Sequence, residues 1–148
     1  MKLKHLAEFE IPSVPGNERQ AAAQVLDSLG SLSLPQEMKD RLVTAVSEAV
    51  MNSMEHGNLY QADLSVRIQV LVTTKELIVR IRDHGGGKVI FDYVTPDLYA
   101  KLAGQQSPRG WGLFLIQNMV DDIRISSDDK HRTMELILKL HPKKGDKR

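Results

Sequence analysis

Three short stretches of this chain carry residue types that could do chemistry together. Glu48, Asn52 and His56 recur at four-residue intervals, which on a helix sets them along one polar line. A carboxamide oxygen suits a hard cation such as Mg²⁺, and a carboxylate one turn away can take a proton or orient a water. Asp83-His84-Gly85-Gly86-Gly87 joins a carboxylate able to accept from the amino group of a base to glycines that let the backbone approach a ligand. Arg109-Gly110-Trp111-Gly112 precedes an apolar run. Backbone N–H groups at a helix start, unobstructed by side chains at the two glycines, make an anion site to which Arg109 adds charge. Taken singly, each stretch reads more simply as a solvated helix flank, a glycine turn or a helix start.

The elements that must position these residues follow from periodicity. Met38, Leu42, Val46, Ala49 and Val50 recur at helical spacing, so one helix is expected from about Pro35 to His56, with Glu48 and Asn52 on its polar flank. Val66, Ile68, Val70 and Val72, then Leu77, Val79 and Ile81, alternate with other residues and predict two strands joined through Thr73–Glu76, the second ending at Asp83. Residues 84–109 hold six glycines or prolines and little periodicity, which suggests a loop with a short helix near 97–103. A mostly buried helix is expected from Gly112 to Val120, then strands over 123–126 and 133–140. Earlier in the chain, Glu8–Ile11 reads as a strand, and a helix begins at Glu18 and stops at Gly30. Strands adjacent in pairs among helices indicate an α+β sandwich, a mostly antiparallel sheet with helices on one face.

Composition narrows the function. The 148 residues fit one domain spanning 1–148, and the absence of cysteine excludes disulfides, thiolate nucleophiles and cysteine zinc sites. Five histidines lack metal-ligand spacing. No Gly-Lys-Ser/Thr follows the glycines, so there is no Walker loop, and no Gly-x-Ser-x-Gly elbow occurs. A net charge of +1 argues against direct nucleic-acid binding, which needs a concentrated basic surface. The basic end, residues 141–148, reads as a flexible tail. The start resembles no signal peptide and no run reaches the roughly 18 apolar residues of a membrane span. A cytoplasmic protein without membrane contact is expected.

In this order and at this spacing, the three stretches resemble the GHKL (Bergerat-fold, histidine-kinase-like) ATPases, and among them the branch of anti-sigma factors that are also serine-protein kinases. Thr44–Gly57 looks like the branch's N box, Asp83–Gly87 matches its Asp-x-Gly-x-Gly box, and Arg109–Leu113 its Gly-x-Gly-Leu box. Phe9–Ser13 with Pro15–Glu18 resembles its opening strand and turn, so the likeness spans about residues 8–140. The resemblance implies ATP and Mg²⁺ as cofactors. Asn52 would ligate Mg²⁺ and Glu48 would act as general base. Asp83 would hold the adenine amino group, with Gly85 and Gly87 shaping the pocket wall and Thr133 at the adenine from a later strand. Gly110, Gly112 and Leu113 would form the box that closes over the phosphates, Arg109 would lie near the γ-phosphate, and residues 88–108 would be the ATP lid. The implied activity is phosphorylation of a serine on an anti-anti-sigma (antagonist) protein, with sequestration of a sigma factor and a homodimeric state. A nucleotide-binding regulator of the same fold that transfers no phosphate is the alternative. One departure stands out: the family often has glycine before the last-box threonine, and this chain has Arg132.

Overall fold

A computed structural model describes residues 3–86 and 110–140. Five strands form one sheet: β1 (Lys4–Pro12), β2 (Ser65–Val72), β3 (Glu76–Asp83), β4 (Asp122–Ser127) and β5 (Arg132–Lys139). Their spatial order is β1-β2-β3-β5-β4, and every neighbouring pair is antiparallel. Among the described residues three α-helices accompany it: α1 (Asn17–Ser28), α2 (Gln36–Asn52) and α3 (Gly110–Met119). The expected α+β sandwich is therefore present. The expected lid, Gly87, Arg109 and the tail at 141–148 lie outside the described residues.

Register sorts the side chains. Ile68 pairs with Ile81, Val70 with Val79 and Val72 with Leu77; on the next strand Leu77 meets Leu138, Val79 meets Leu136 and Ile81 meets Met134. Alternation sends all of these to one face, where they form a single core with Ala21 and Val25 of α1, Leu42, Val46, Ala49 and Val50 of α2, and Ile116 of α3. The helices thus cover that face. Burying a side chain such as Leu136, which is fully buried, stabilises the fold by about 1.5–3 kcal/mol. The opposite face carries Arg67, Gln69, Arg80, Arg82, Thr133 and Glu135, with a small apolar cluster of Leu71, Ile78 and Ile137.

Local chemistry fixes the helix ends. Gly16 enters α1 at φ +100°, a conformation L side chains rarely adopt, and Glu18 Oε1 reaches back to accept from its N–H at 2.9 Å. Pro35 precedes the first turn of α2 with an extended backbone. Arg41 of α2 donates to the Met119 carbonyl at 3.2 Å, satisfying an end of α3 that no intrahelical N–H reaches. α2 and α3 pack along one another. Because the end of α3 lies by Arg41, near the start of α2, the glycine-bearing start of α3 runs toward the Asn52 end.

The structure departs from sequence expectation where α2 ends. A regular helix stops at Asn52, and Ser53–Gly57 form a π-helical turn in which Asn58 N–H donates to the Ser53 carbonyl at 2.9 Å. An unusual backbone follows the wider turn. Leu59 and Tyr60 both adopt φ +53°, a region that costs a non-glycine residue on the order of 1–3 kcal/mol and persists only where surroundings impose it. Tyr60 N–H donates to the Met54 carbonyl at 2.7 Å, closing the segment.

Candidate functional site

α2 places Glu48 and Asn52 on one flank, both half-buried beside the fully buried Ala49 and Val50. His56, the third member of the polar line, is exposed, and its Nε2 lies 3.7 Å from Glu55. The π turn then carries the chain down onto the end of β3. A Cβ on Gly57 would fall 2.2 Å from Asp83 Cγ, so only glycine lets the two segments meet at this distance. Gly85 closes the same contact from the other side, its Cα side facing Gly57 Cα closely enough that an added Cβ would sit at 3.0 Å. Along the helix, Asn52 precedes Gly57 by about 7 Å of rise and Glu48 by roughly 13 Å.

Asn58 is the clamp of this arrangement, and nothing in the sequence marked it. Its side chain is buried; Nδ2 donates to Ser13 Oγ at 2.9 Å and Oδ1 accepts from the His84 N–H at 2.7 Å. One carboxamide therefore ties the end of α2 to the exit of β1 and to the exit of β3. Ser13 Oγ in turn donates to the Leu64 carbonyl at 2.6 Å. A polar residue after a helix-ending glycine reads as turn chemistry, so only the long-range partners reveal the role.

Asp83 continues the inward row of β3 past Ile81, and its register partner on β5 is Arg132. The two are buried together, at 1% and 5% exposure. Asp83 Oδ2 accepts from Arg132 Nη2 at 2.8 Å and Nε at 3.3 Å, while Oδ1 accepts from the Gly85 N–H at 2.8 Å. A buried ion pair survives only with such geometry, because desolvation of each charge must be offset by direct hydrogen bonds.

Thr133 is the expected site residue the structure does not bring to this place. It follows Arg132 by one, so it points through the sheet to the opposite face. There its hydroxyl accepts from Arg82 Nε at 3.4 Å, and it lines a groove of about 400 Å³ with Arg67, Arg80 and Glu135. The inward position beside Asp83 is occupied by Arg132, whereas the resemblance implied Thr133 at the adenine. The reason is the two-residue period of a strand, which sends neighbouring residues to opposite faces.

Gly110 and Gly112 lie in the first turn of α3, and Leu113, half-buried, packs against the core with Ile116 behind it. Among the expected residues, then, Glu48 and Asn52 share a helix flank, Asp83 and Gly85 meet the end of the π turn, and Gly110, Gly112 and Leu113 begin the helix packed on α2. Gly86 sits against the β4–β5 turn, where an added Cβ would be 2.2 Å from His131 N. That turn is held by Asp128, whose Oδ1 accepts from the N–H groups of His131 and Lys130 at 2.7 and 2.8 Å. Those two hydrogen bonds hold the Asp128 carboxyl below its ordinary range.

The family model for the histidine kinase-like ATPase domain matches residues 11–138. An anti-sigma F factor of Clostridium novyi is 28% identical over 132 residues, covering 89% of this chain and 92% of that protein. The serine-protein kinase RsbW of Listeria monocytogenes is 32% identical over 117 residues, 69% of this chain and 73% of that protein. Among solved structures, the SiaB–SiaC complex from Pseudomonas aeruginosa superposes with a TM-score of 0.62 at 13% identity over 90% of this chain and 89% of that one. The RsbU and RsbW domains of a Mycobacterium tuberculosis protein give a TM-score of 0.62 at 18% identity, covering 92% of this chain and 33% of that one. These structural likenesses establish a shared fold.

Proposed function

The chain belongs to the histidine kinase-like ATPase domain family, and from that premise we propose that it is an ATP-dependent anti-sigma factor and serine-protein kinase. It would sequester a sigma factor and phosphorylate a serine on an antagonist protein, releasing the sigma factor when unphosphorylated antagonist competes. Its place would be the cytoplasm, as a single domain acting as a homodimer.

The observation that carries this reading is one line of residues. Glu48 and Asn52 share a half-buried flank of α2, and the same helix runs through Gly57 onto the Asp83 carboxylate. The donor set fits Mg-ATP: a carboxamide and a carboxylate, both oxygen donors, stand one turn apart, with the glycine-bearing start of α3 directed toward them. In this reading Asn52 would hold Mg²⁺, and the cation would shield the phosphate charge. Glu48 takes the proton from the attacking serine hydroxyl. Phosphoryl transfer is mainly positioning and charge stabilisation, so half-burial of Glu48 matters because it limits competing water. Gly85 and Gly87 would shape the wall of the base pocket. Gly110, Gly112 and Leu113 would form the phosphate-facing turn, with Arg109 at the γ-phosphate and residues 88–108 as the lid. Asp83 would stand at the edge of the base that bears the amino group.

The deciding experiment incubates the protein with γ-labelled ATP and a purified antagonist domain. Label on an antagonist serine, lost in Glu48→Ala while nucleotide binding persists, is the expected result. Binding of nucleotide and partner with no transfer by the unaltered protein would replace the kinase with a non-phosphorylating regulator.

A further inference from the structure

The carboxylate that reads the base in this proposal already has a cationic partner. Sheet register makes Asp83 and Arg132 neighbours on the inward face, and both side chains are buried. A carboxylate offers about four lone-pair positions. Three hydrogen bonds use them here, two from Arg132 and one from the Gly85 N–H. Gly57 lies so close over the carboxylate that even a methyl group would not fit between. A purine amino group and a guanidinium are both donors, so they compete for the same oxygens. The guanidinium brings full charge and sets two N–H groups on Oδ2, and the strand pairing keeps its backbone beside Asp83.

We propose that Arg132 is a built-in competitor of the base at Asp83, and so sets how the site recognises its nucleotide. With the pair closed, the purine edge contributes little, the phosphate end supplies the affinity, and discrimination at purine position 6 is weak. Opening the pair gives Asp83 to the base and makes the site selective for adenine. The inference rests on the nucleotide-binding reading above. It concerns a residue that reading leaves without a role.

The test compares Mg-bound ATP with Mg-bound inosine triphosphate, which replaces the 6-amino donor with a 6-oxo acceptor, by calorimetry on the full chain. Wild type is expected to bind the two within about threefold, whereas a free carboxylate at the base edge would separate them by about tenfold or more. Arg132→Gln, which removes the competing charge, is expected to raise the preference for ATP to about tenfold or more by tightening ATP. Arg132→Lys keeps a charge beside Asp83 but loses the fork, and an intermediate ratio is expected. A merely structural ion pair would change the melting temperature of these variants and leave the ratio where it was. Wild-type discrimination above threefold, or variants no more selective than wild type, overturns the inference and leaves nucleotide binding intact. Should neither variant fold, the wild-type ratio alone decides. Binding of neither nucleotide by any of the proteins removes the nucleotide reading itself, and this inference with it.

Discussion

Replacing Gly57 with alanine asks whether the close meeting of α2 and β3 is what holds the candidate site together. The added methyl group would lie 2.2 Å from Asp83 Cγ, 2.3 Å from Oδ1 and 2.5 Å from Oδ2. Asp83 has little freedom to retreat, because it is 1% exposed and anchored by Arg132 and the Gly85 N–H. Inserting a methyl into a packed interior costs about 1–3 kcal/mol. Disturbing a buried ion pair adds to this, since breaking one outright costs about 3–5 kcal/mol. Alanine recovers roughly 0.5–1 kcal/mol of backbone entropy relative to glycine. The net expectation is a loss of about 2–3 kcal/mol, which for a domain of this size lowers the melting temperature by roughly 4–10 °C. Urea denaturation followed by circular dichroism measures it. Gly30→Ala is the control, because its Cβ would meet only the Asp27 carbonyl at 3.5 Å, an ordinary contact. A double-mutant cycle with Asp83→Ala identifies the cause: if the carboxylate is what the methyl strikes, the two changes couple by about 1 kcal/mol or more. Equal costs at Gly57 and Gly30, or additivity with Asp83→Ala, would refute the reasoning.

Asn52→Ala is expected to abolish the Mg-dependent part of nucleotide affinity while leaving the circular dichroism spectrum unchanged; undiminished affinity by calorimetry would sink that assignment. Asn58→Ala strands the His84 N–H and leaves the Ser13 hydroxyl without its buried partner, so a loss of about 1–3 kcal/mol is expected from denaturant titration. Leu136→Ala empties a fully buried position under the helices and should cost about 2–5 kcal/mol without altering residual nucleotide selectivity. Asp128 has a folded pKa below its ordinary value of 3.8, so its contribution to the β4–β5 turn is present above that value and lost as pH falls through the lower folded one. Carboxyl chemical shifts followed by NMR should place its midpoint below 3.8; a midpoint at or above it contradicts the hydrogen bonds seen.

Much of the architecture is written in local patterns. Alternation in Val66–Val72 and Leu77–Ile81, and helical spacing from Met38 to Val50, depend on periods of 2 and 3.6 that any partner surface would select. The polar line Glu48–Asn52 was legible for the same reason, and the resemblance that rests on it and on the glycine stretches led to the family whose model matches residues 11–138. The end of α2 was not legible, because nothing local distinguishes a π turn from another turn of helix. It is set by Asn58 reaching Ser13 and His84, 45 and 26 residues away. Strand register was equally hidden. Sequence marked Arg132 as unusual and put Thr133 at the base, but pairing of Asp83 with Arg132 across β3 and β5 turned Thr133 to the opposite face. What the sequence alone determined is which helices and strands form, and with them the family. Only the tertiary structure decided which side chain stands beside Asp83, since facing on a strand is fixed by hydrogen-bond partners remote in the chain.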